Sequence, residues 1–245
     1  MSTPGAFQSI RDSINETQLR ELKNKGPDKK KTYGELQAPF FQTILEEHQL
    51  GPLSTFVDLG CGIGNLLVQA TVYSGCDAFG IELRQELKGT ADSLRDRALE
   101  VCKMRGISMG RIAMEWGDML KLKAVEEWMR RADLVVVNNK VFEPTLNLHI
   151  LDEFLPLMKH GACIISTELF ISGRQTRHAI YKVTFPDQRM LEVTVRKYPE
   201  KSMSWTDSSD EYYIHRVHDP ATARDRQEQL GQVYHAPRLV GGTAS

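Results

Sequence analysis

Short apolar runs alternate along the chain with longer amphipathic ones. "TYGELQAPFFQTILEEHQL" (32–50) carries Leu36, Phe40, Ile44 and Leu45 at helical spacing, with Pro39 in the first turn, where proline is tolerated. "STFVDLG" (54–60) predicts a short buried strand, "NLLVQATVYSG" (65–75) a helix closed by Gly75, and "DAFGIEL" (77–83) a second strand. A long helix is expected over about 85–105. Strand, helix and strand then follow over 110–119, 121–130 and 132–139, and a helix over 145–159 and a fifth strand over 161–170 complete the series.

This alternation argues for a mostly parallel α/β sheet with helices on both faces. From about residue 178 the pattern changes. "HAIYKVTF", "RMLEVTVRKY" and "EYYIHRVH" are β-rich with no helix of that length between them, which predicts an antiparallel C-terminal extension. The last stretch starts as a short polar helix and ends Gly-rich. The expected organisation is an N-terminal helical and basic arm over 1–31, one α/β domain over 32–218 and a tail over 219–245.

At 245 residues, 41% apolar and 26% charged, the chain is long enough for one substantial core with arms. A net charge of −1 gives no whole-chain argument for nucleic acid. The balance is uneven, however. Lys23, Lys25, Lys29, Lys30 and Lys31 cluster beside a Gly-Pro break, as a solvated linker or as a contact for phosphate or an acidic protein surface. Cys61, Cys76, Cys102 and Cys163 show neither C-x-x-C pairing nor a companion His at metal spacing, so free thiols are expected and no metal site. The N-terminus lacks the apolar core of a signal peptide, and no window approaches 18 uninterrupted apolar residues, so an intracellular protein with no membrane contact is expected.

The chemistry gathers at the predicted strand ends. "FVDLGCGIGNLL" places Asp58, Gly60, Gly62 and Gly64 on the turn after the first strand, where glycines let a backbone approach a ligand and where open parallel sheets bind one. A dinucleotide pyrophosphate would sit beside the Asp58 charge, and the glycines step evenly by two rather than as G-x-G-x-x-G. A ligand with an amino group and no phosphate suits the acid better. S-adenosyl-L-methionine is such a ligand, with Glu82 at the end of the second strand for its ribose hydroxyls and Asp118 after the third for the adenine amine. Three acids in that order, with D-x-G-x-G-x-G, read as a class I S-adenosylmethionine-dependent methyltransferase fold. "VVVNNKVFEP" (135–144) then ends a buried strand in two asparagines, which are poor strand residues and costly to bury unpaired. They make either a turn or the place where the sheet opens onto a ligand.

"TYGEL", "VDLGCGIGNLLVQA", "FGIEL", "GDML", "VVVNNKVFEPTLN" and "SWTDSSDEYYIH" together resemble the disruptor-of-telomeric-silencing family, non-SET methyltransferases of lysine 79 of nucleosomal histone H3, from about Thr32 to His215. The resemblance implies that Tyr33 and Glu35 belong to a loop folded over the methionine end of the cofactor. Leu36 stands where the family often has threonine. Asp58 and Gly60 would meet the methionyl part, Glu82 the ribose, and Asp118 with Met119 the adenine, with Gly62 and Asn65 also touching the cofactor. Asn138 resembles the residue beside the transferring methyl, and Phe142, Trp205 and Tyr212 the walls of the lysine channel. Core packing is the alternative for Phe142 and Trp205.

The implied partners are the nucleosome, through histone H3, ubiquitinated H2B and the acidic histone surface, the last of these a candidate for Arg189. Nucleosomal DNA would meet the lysine cluster. The implied setting is the nucleus, in chromatin regulation and telomeric silencing. Two other readings remain: a class I methyltransferase of another protein or a small molecule, and a non-catalytic nucleosome-binding module with this fold.

Overall fold

The computed structural model describes residues 7, 10, 34–170, 178–182, 189–219 and 233–235. Its elements in chain order are α1 (Ala38–His48), β1 (Thr55–Leu59), α2 (Asn65–Ser74), β2 (Asp77–Glu82), α3 (Lys88–Arg105), β3 (Ile112–Trp116), α4 (Lys123–Arg131), β4 (Leu134–Val137), α5 (Pro144–His149), β5 (Cys163–Ser166), β6 (His178–Lys182), β7 (Met190–Lys197), β8 (Glu211–His218) and β9 (Val233–His235). They form one nine-stranded sheet in the order β3-β2-β1-β4-β5-β8-β7-β6-β9. The first five strands pair in parallel. From β5 the pairing turns antiparallel through β8, β7 and β6. This is the sheet expected of a class I methyltransferase fold, with its reversed extension.

β1, β4 and β5 are buried at every position, which is why they read as mostly apolar runs rather than alternating ones, with Asp58 their one charged residue. Side chains still alternate between faces. Phe56, Ala78, Leu134, Val136 and Ile165 pack with Phe41 and Ile44 of α1 and Leu67 of α2, while Val57, Phe79, Val135, Val137 and Ile164 pack with α4 and the segment after α5. α2 lies beneath a further layer formed with α3, to which Phe7 and Ile10 add buried side chains. The segment expected as a basic arm therefore also supplies core.

Three other expectations are corrected. The helix over 145–159 is broken: α5 gives way to a π turn over Ile150–Phe154 and a 3-10 turn over Leu155–Leu157, where Pro156 cannot donate a helical hydrogen bond. The tail is not wholly outside the sheet, since β9 pairs in parallel with β6. Arg189, a candidate for the acidic histone surface, instead donates through Nη2 to Pro156 O at 2.9 Å and through Nη1 to Met158 O. Its fork is spent on carbonyls at the end of the broken helix.

Candidate active site

The strand register aims the first acids at one place. Asp58 pairs across to Gly80 on one side and Val136 on the other. Glu82 and Asn138 lie two residues further along those neighbours, so Asp58, Glu82 and Asn138 share the face that carries α1 and α2. They open into a cavity of about 490 Å³, within the range of small-molecule sites. Glu35, Gly60, Gly62, Asn65, Asp118, Met119, Phe142 and Trp205 also line it.

The glycine turn follows from close approach. Gly60 and Cys61 donate to Ile81 O at 2.9 and 3.0 Å, laying the turn on the end of β2. Gly60 holds a left-handed φ of 92°, and a Cβ there would stand 3.4 Å from the Phe142 ring. Glu82 accepts from Gly62 N at 2.9 Å and from Arg84 N at 2.8 Å, which fixes its carboxylate beside the turn. Asp118 accepts from Leu120 N at 3.0 Å and lies 3.3 Å from Lys121 Nζ.

The opposite wall is a ribbon the chain pattern did not announce. Leu36 bridges Met203, Gln37 N donates to Ser202 O at 2.7 Å, and Glu35 N donates to Ser204 Oγ at 2.8 Å. "GEL" and "SMSW" thus form one wall, although they are far apart in sequence. Gly34 is needed because the Trp205 ring lies on it; a Cβ would stand 2.7 Å from Trp205 Cε3. Asn65 Nδ2 donates to Glu35 Oε1, tying this wall to the head of α2.

The two asparagines divide the work. Asn139 is 1% exposed and turned into the protein: its Oδ1 accepts from Thr167 N at 3.1 Å and Glu168 N at 2.8 Å, and its Nδ2 donates to Asn147 Oδ1 and Glu168 O. It splices the end of β4 to the end of β5. Asn138 lines the cavity, donating to Gly34 O at 2.9 Å and accepting from Thr167 Oγ1 at 3.1 Å. Thr167 holds the site in place without any motif to mark it in the sequence, and Ser204 opens the SWT motif without having been singled out. Behind Thr167, Ser166 Oγ lies 2.9 Å from Nε2 of buried His215, whose pKa desolvation lowers to about 3, so the ring is neutral.

Tyr212 is not on the cavity lining. It belongs to the apolar cluster against which Trp205 packs, its ring edge-on to Phe40 at 5.3 Å between centroids and its hydroxyl bonded to Arg196. As β8 alternates, Tyr212 packs in the layer of α1 and Tyr213 in the other. Tyr33 and the cluster Lys23, Lys25, Lys29, Lys30 and Lys31 lie outside the described residues.

Electrostatics decide what fits. Glu35, Asp58 and Glu82 line one cavity, and the lining cations point elsewhere, Arg84 to Glu86 and Lys140 to Glu168. Burial pushes the Asp58 carboxyl up to about 8, helped by the charges of Glu82 and Glu35. Such a cavity takes a ligand that brings positive charge, and the amino group and sulfonium of S-adenosyl-L-methionine supply it. The Cys61 thiol on the same lining is raised well above its ordinary value by burial, then by Asp58 and Glu82, so it is no nucleophile. Among the described residues no His, Cys, Asp and Glu group could hold a metal ion.

The family model "Histone methylation protein DOT1" matches residues 12–217. The chain belongs to this DOT1 family. Among curated relatives, this DOT1-family chain is 35% identical over 197 residues to the histone-lysine N-methyltransferase, H3 lysine-79 specific, of Emericella nidulans, covering 80% of the chain and 38% of the relative. It is 34% identical over 183 residues to the enzyme of the same name from Gibberella zeae, covering 74% and 36%. The chain thus spans a little over a third of these relatives' length. A solved structure of a putative O-methyltransferase from Klebsiella pneumoniae is similar over 85% of the chain and 90% of its own, at 14% identity and a TM-score of 0.49.

Proposed function

We propose that this chain is the catalytic core of a histone-lysine N-methyltransferase that uses S-adenosyl-L-methionine to methylate lysine 79 of histone H3 in nucleosomes, in the nucleus. One observation carries the reading: a single cavity joins the acids Glu35, Asp58 and Glu82 to Asn138, Phe142 and Trp205. Family membership and the names of the relatives support the acceptor.

When bound, the cofactor supplies an electrophilic methyl on sulfur. Asp58 and Glu35 would hold its amino-acid end, Glu82 the ribose, and Asp118 with Met119 the adenine, with Gly60, Gly62 and Asn65 beneath. Phe142 and Trp205 give the acceptor lysine an apolar passage that disfavours the ammonium and so yields the neutral amine. Their ring faces also accommodate the methylated cation. The Asn138 amide, fixed by Gly34 and Thr167, aims the amine without competing as a nucleophile. Alignment of this kind is worth roughly 7–11 kcal/mol of a barrier, so the site needs no strong base. The catalytic domain is taken as 32–218, with Lys23, Lys25, Lys29, Lys30 and Lys31 as candidate contacts for nucleosomal DNA.

A labelled-methyl assay compares nucleosomes, free histone H3 and an H3 peptide. Transfer to lysine 79 on nucleosomes alone is expected. Equal transfer to all three refutes the nucleosome requirement, transfer to none with cofactor bound favours a different substrate, and no cofactor binding favours a binding module.

A further inference from the structure

Lys140 stands two residues beyond Asn138 on the cavity lining, where Arg84 is the other cationic side chain. Its ammonium is drawn away from the cavity. Nζ lies 2.5 Å from Glu168 Oε1, on the loop leaving β5, and 3.4 Å from Asp210 Oδ2, just before β8. These pairs are exposed enough to be weak and salt-screened: the three side chains are 40%, 41% and 52% exposed. The cavity offers a second attraction, because Glu82 is only 9% exposed and opposite charges attract most where water is excluded, while Asp58 adds its charge once it ionises above about pH 8. Lys140 therefore has two destinations, one outside with Glu168 and Asp210 and one inside with the acids of the cavity lining.

We propose that Glu168 and Asp210 are positioning residues that restrain Lys140, keeping its ammonium out of the space needed by the acceptor lysine and by the cofactor's amino group. The inference rests on the methyl-transfer reading for what fills that space. The restrained stem of Lys140 forms part of the wall near the mouth, and its head stays outside. Released, Lys140 becomes an internal competitor with a charge like that of both ligands, and it cannot be diluted away.

The test uses E168Q/D210N and the triple variant E168Q/D210N/K140M, with S-adenosylhomocysteine as the binding probe. The double variant is expected to bind the probe about fivefold more weakly and to show a raised KM for nucleosomes with kcat little changed, and the triple variant to recover both. In a crystal structure of the ligand-free double variant, Lys140 Nζ is expected within about 4 Å of a Glu82 or Glu35 oxygen. An ammonium still outside together with unchanged binding overturns the restraint. So does a triple variant as impaired as the double, because the pairs would then act as a tie between loops. If the wild type binds the probe but methylates no nucleosomes, the substrate reading fails, while binding and crystallography still decide the restraint.

Discussion

Asn138 and Asn139 are adjacent and chemically identical, yet their removal has opposite consequences. Asn139→Ala takes the acceptor from two buried backbone donors, Thr167 N and Glu168 N, while Glu168 O keeps the Ser166 hydroxyl. An orphaned buried donor costs about 1–3 kcal/mol, so about 3 kcal/mol in all is expected once some relaxation is allowed. In a chain of this size that corresponds to a fall in Tm of roughly 6–12 °C. Asn138→Ala loses one bond to Gly34 O and one from Thr167 Oγ1 at the edge of an open cavity, where water replaces both, so about 1 kcal/mol or less is expected. Turnover, by contrast, should collapse in Asn138→Ala with the fold intact. Urea and thermal unfolding by circular dichroism read the stabilities, and the labelled-methyl assay reads the rates. If Asn138→Ala unfolds more easily than Asn139→Ala, the division of labour is wrong.

The ligand-free protein holds a proton on Asp58 up to about pH 8, whereas the unfolded chain loses it near 3.8, so stability falls as pH rises across that window, by at most about 1.4 kcal/mol per unit. Asp58→Asn should flatten the slope. Binding of S-adenosylhomocysteine near pH 7 should release a proton, seen by calorimetry in buffers of different ionisation enthalpy; no release argues against Asp58 as the partner of the amino group. Arg189→Ala should lower Tm, because Pro156 O and Met158 O lose their donors, and should leave nucleosome affinity unchanged. Weakened nucleosome binding at unchanged Tm would return Arg189 to the surface.

Much of the fold was legible because burial on both faces writes itself as composition. β1, β4 and β5 are mostly apolar; β1 and β4 were found within two residues of their ends, while β5 stops at Ser166, four residues before its expected end. The acids were legible for a related reason: Asp58 and Glu82 close apolar runs, and a charge there has nowhere to go but the crevice beyond the sheet. The break after α5 was visible only as Pro156 within an otherwise helical stretch. The part played by Phe7 and Ile10 was hidden, since two apolar residues in a polar segment carry no period.

The sequence by itself determined the order of strands and helices, the parallel sheet with its reversed extension, and the acids at the strand ends, because each depends on local pattern. Only the tertiary structure decided which asparagine meets the cavity, that Tyr212 packs on Phe40 with its hydroxyl on Arg196, and that Arg189 faces inward. Those outcomes turn on register and on partners distant in sequence. Asn139 is claimed by Thr167 and Glu168, Tyr212 by Phe40 and Arg196, and Arg189 by two carbonyls. A side chain's chemistry is written at its own position, but whether that chemistry is free for a ligand depends on what the fold brings against it.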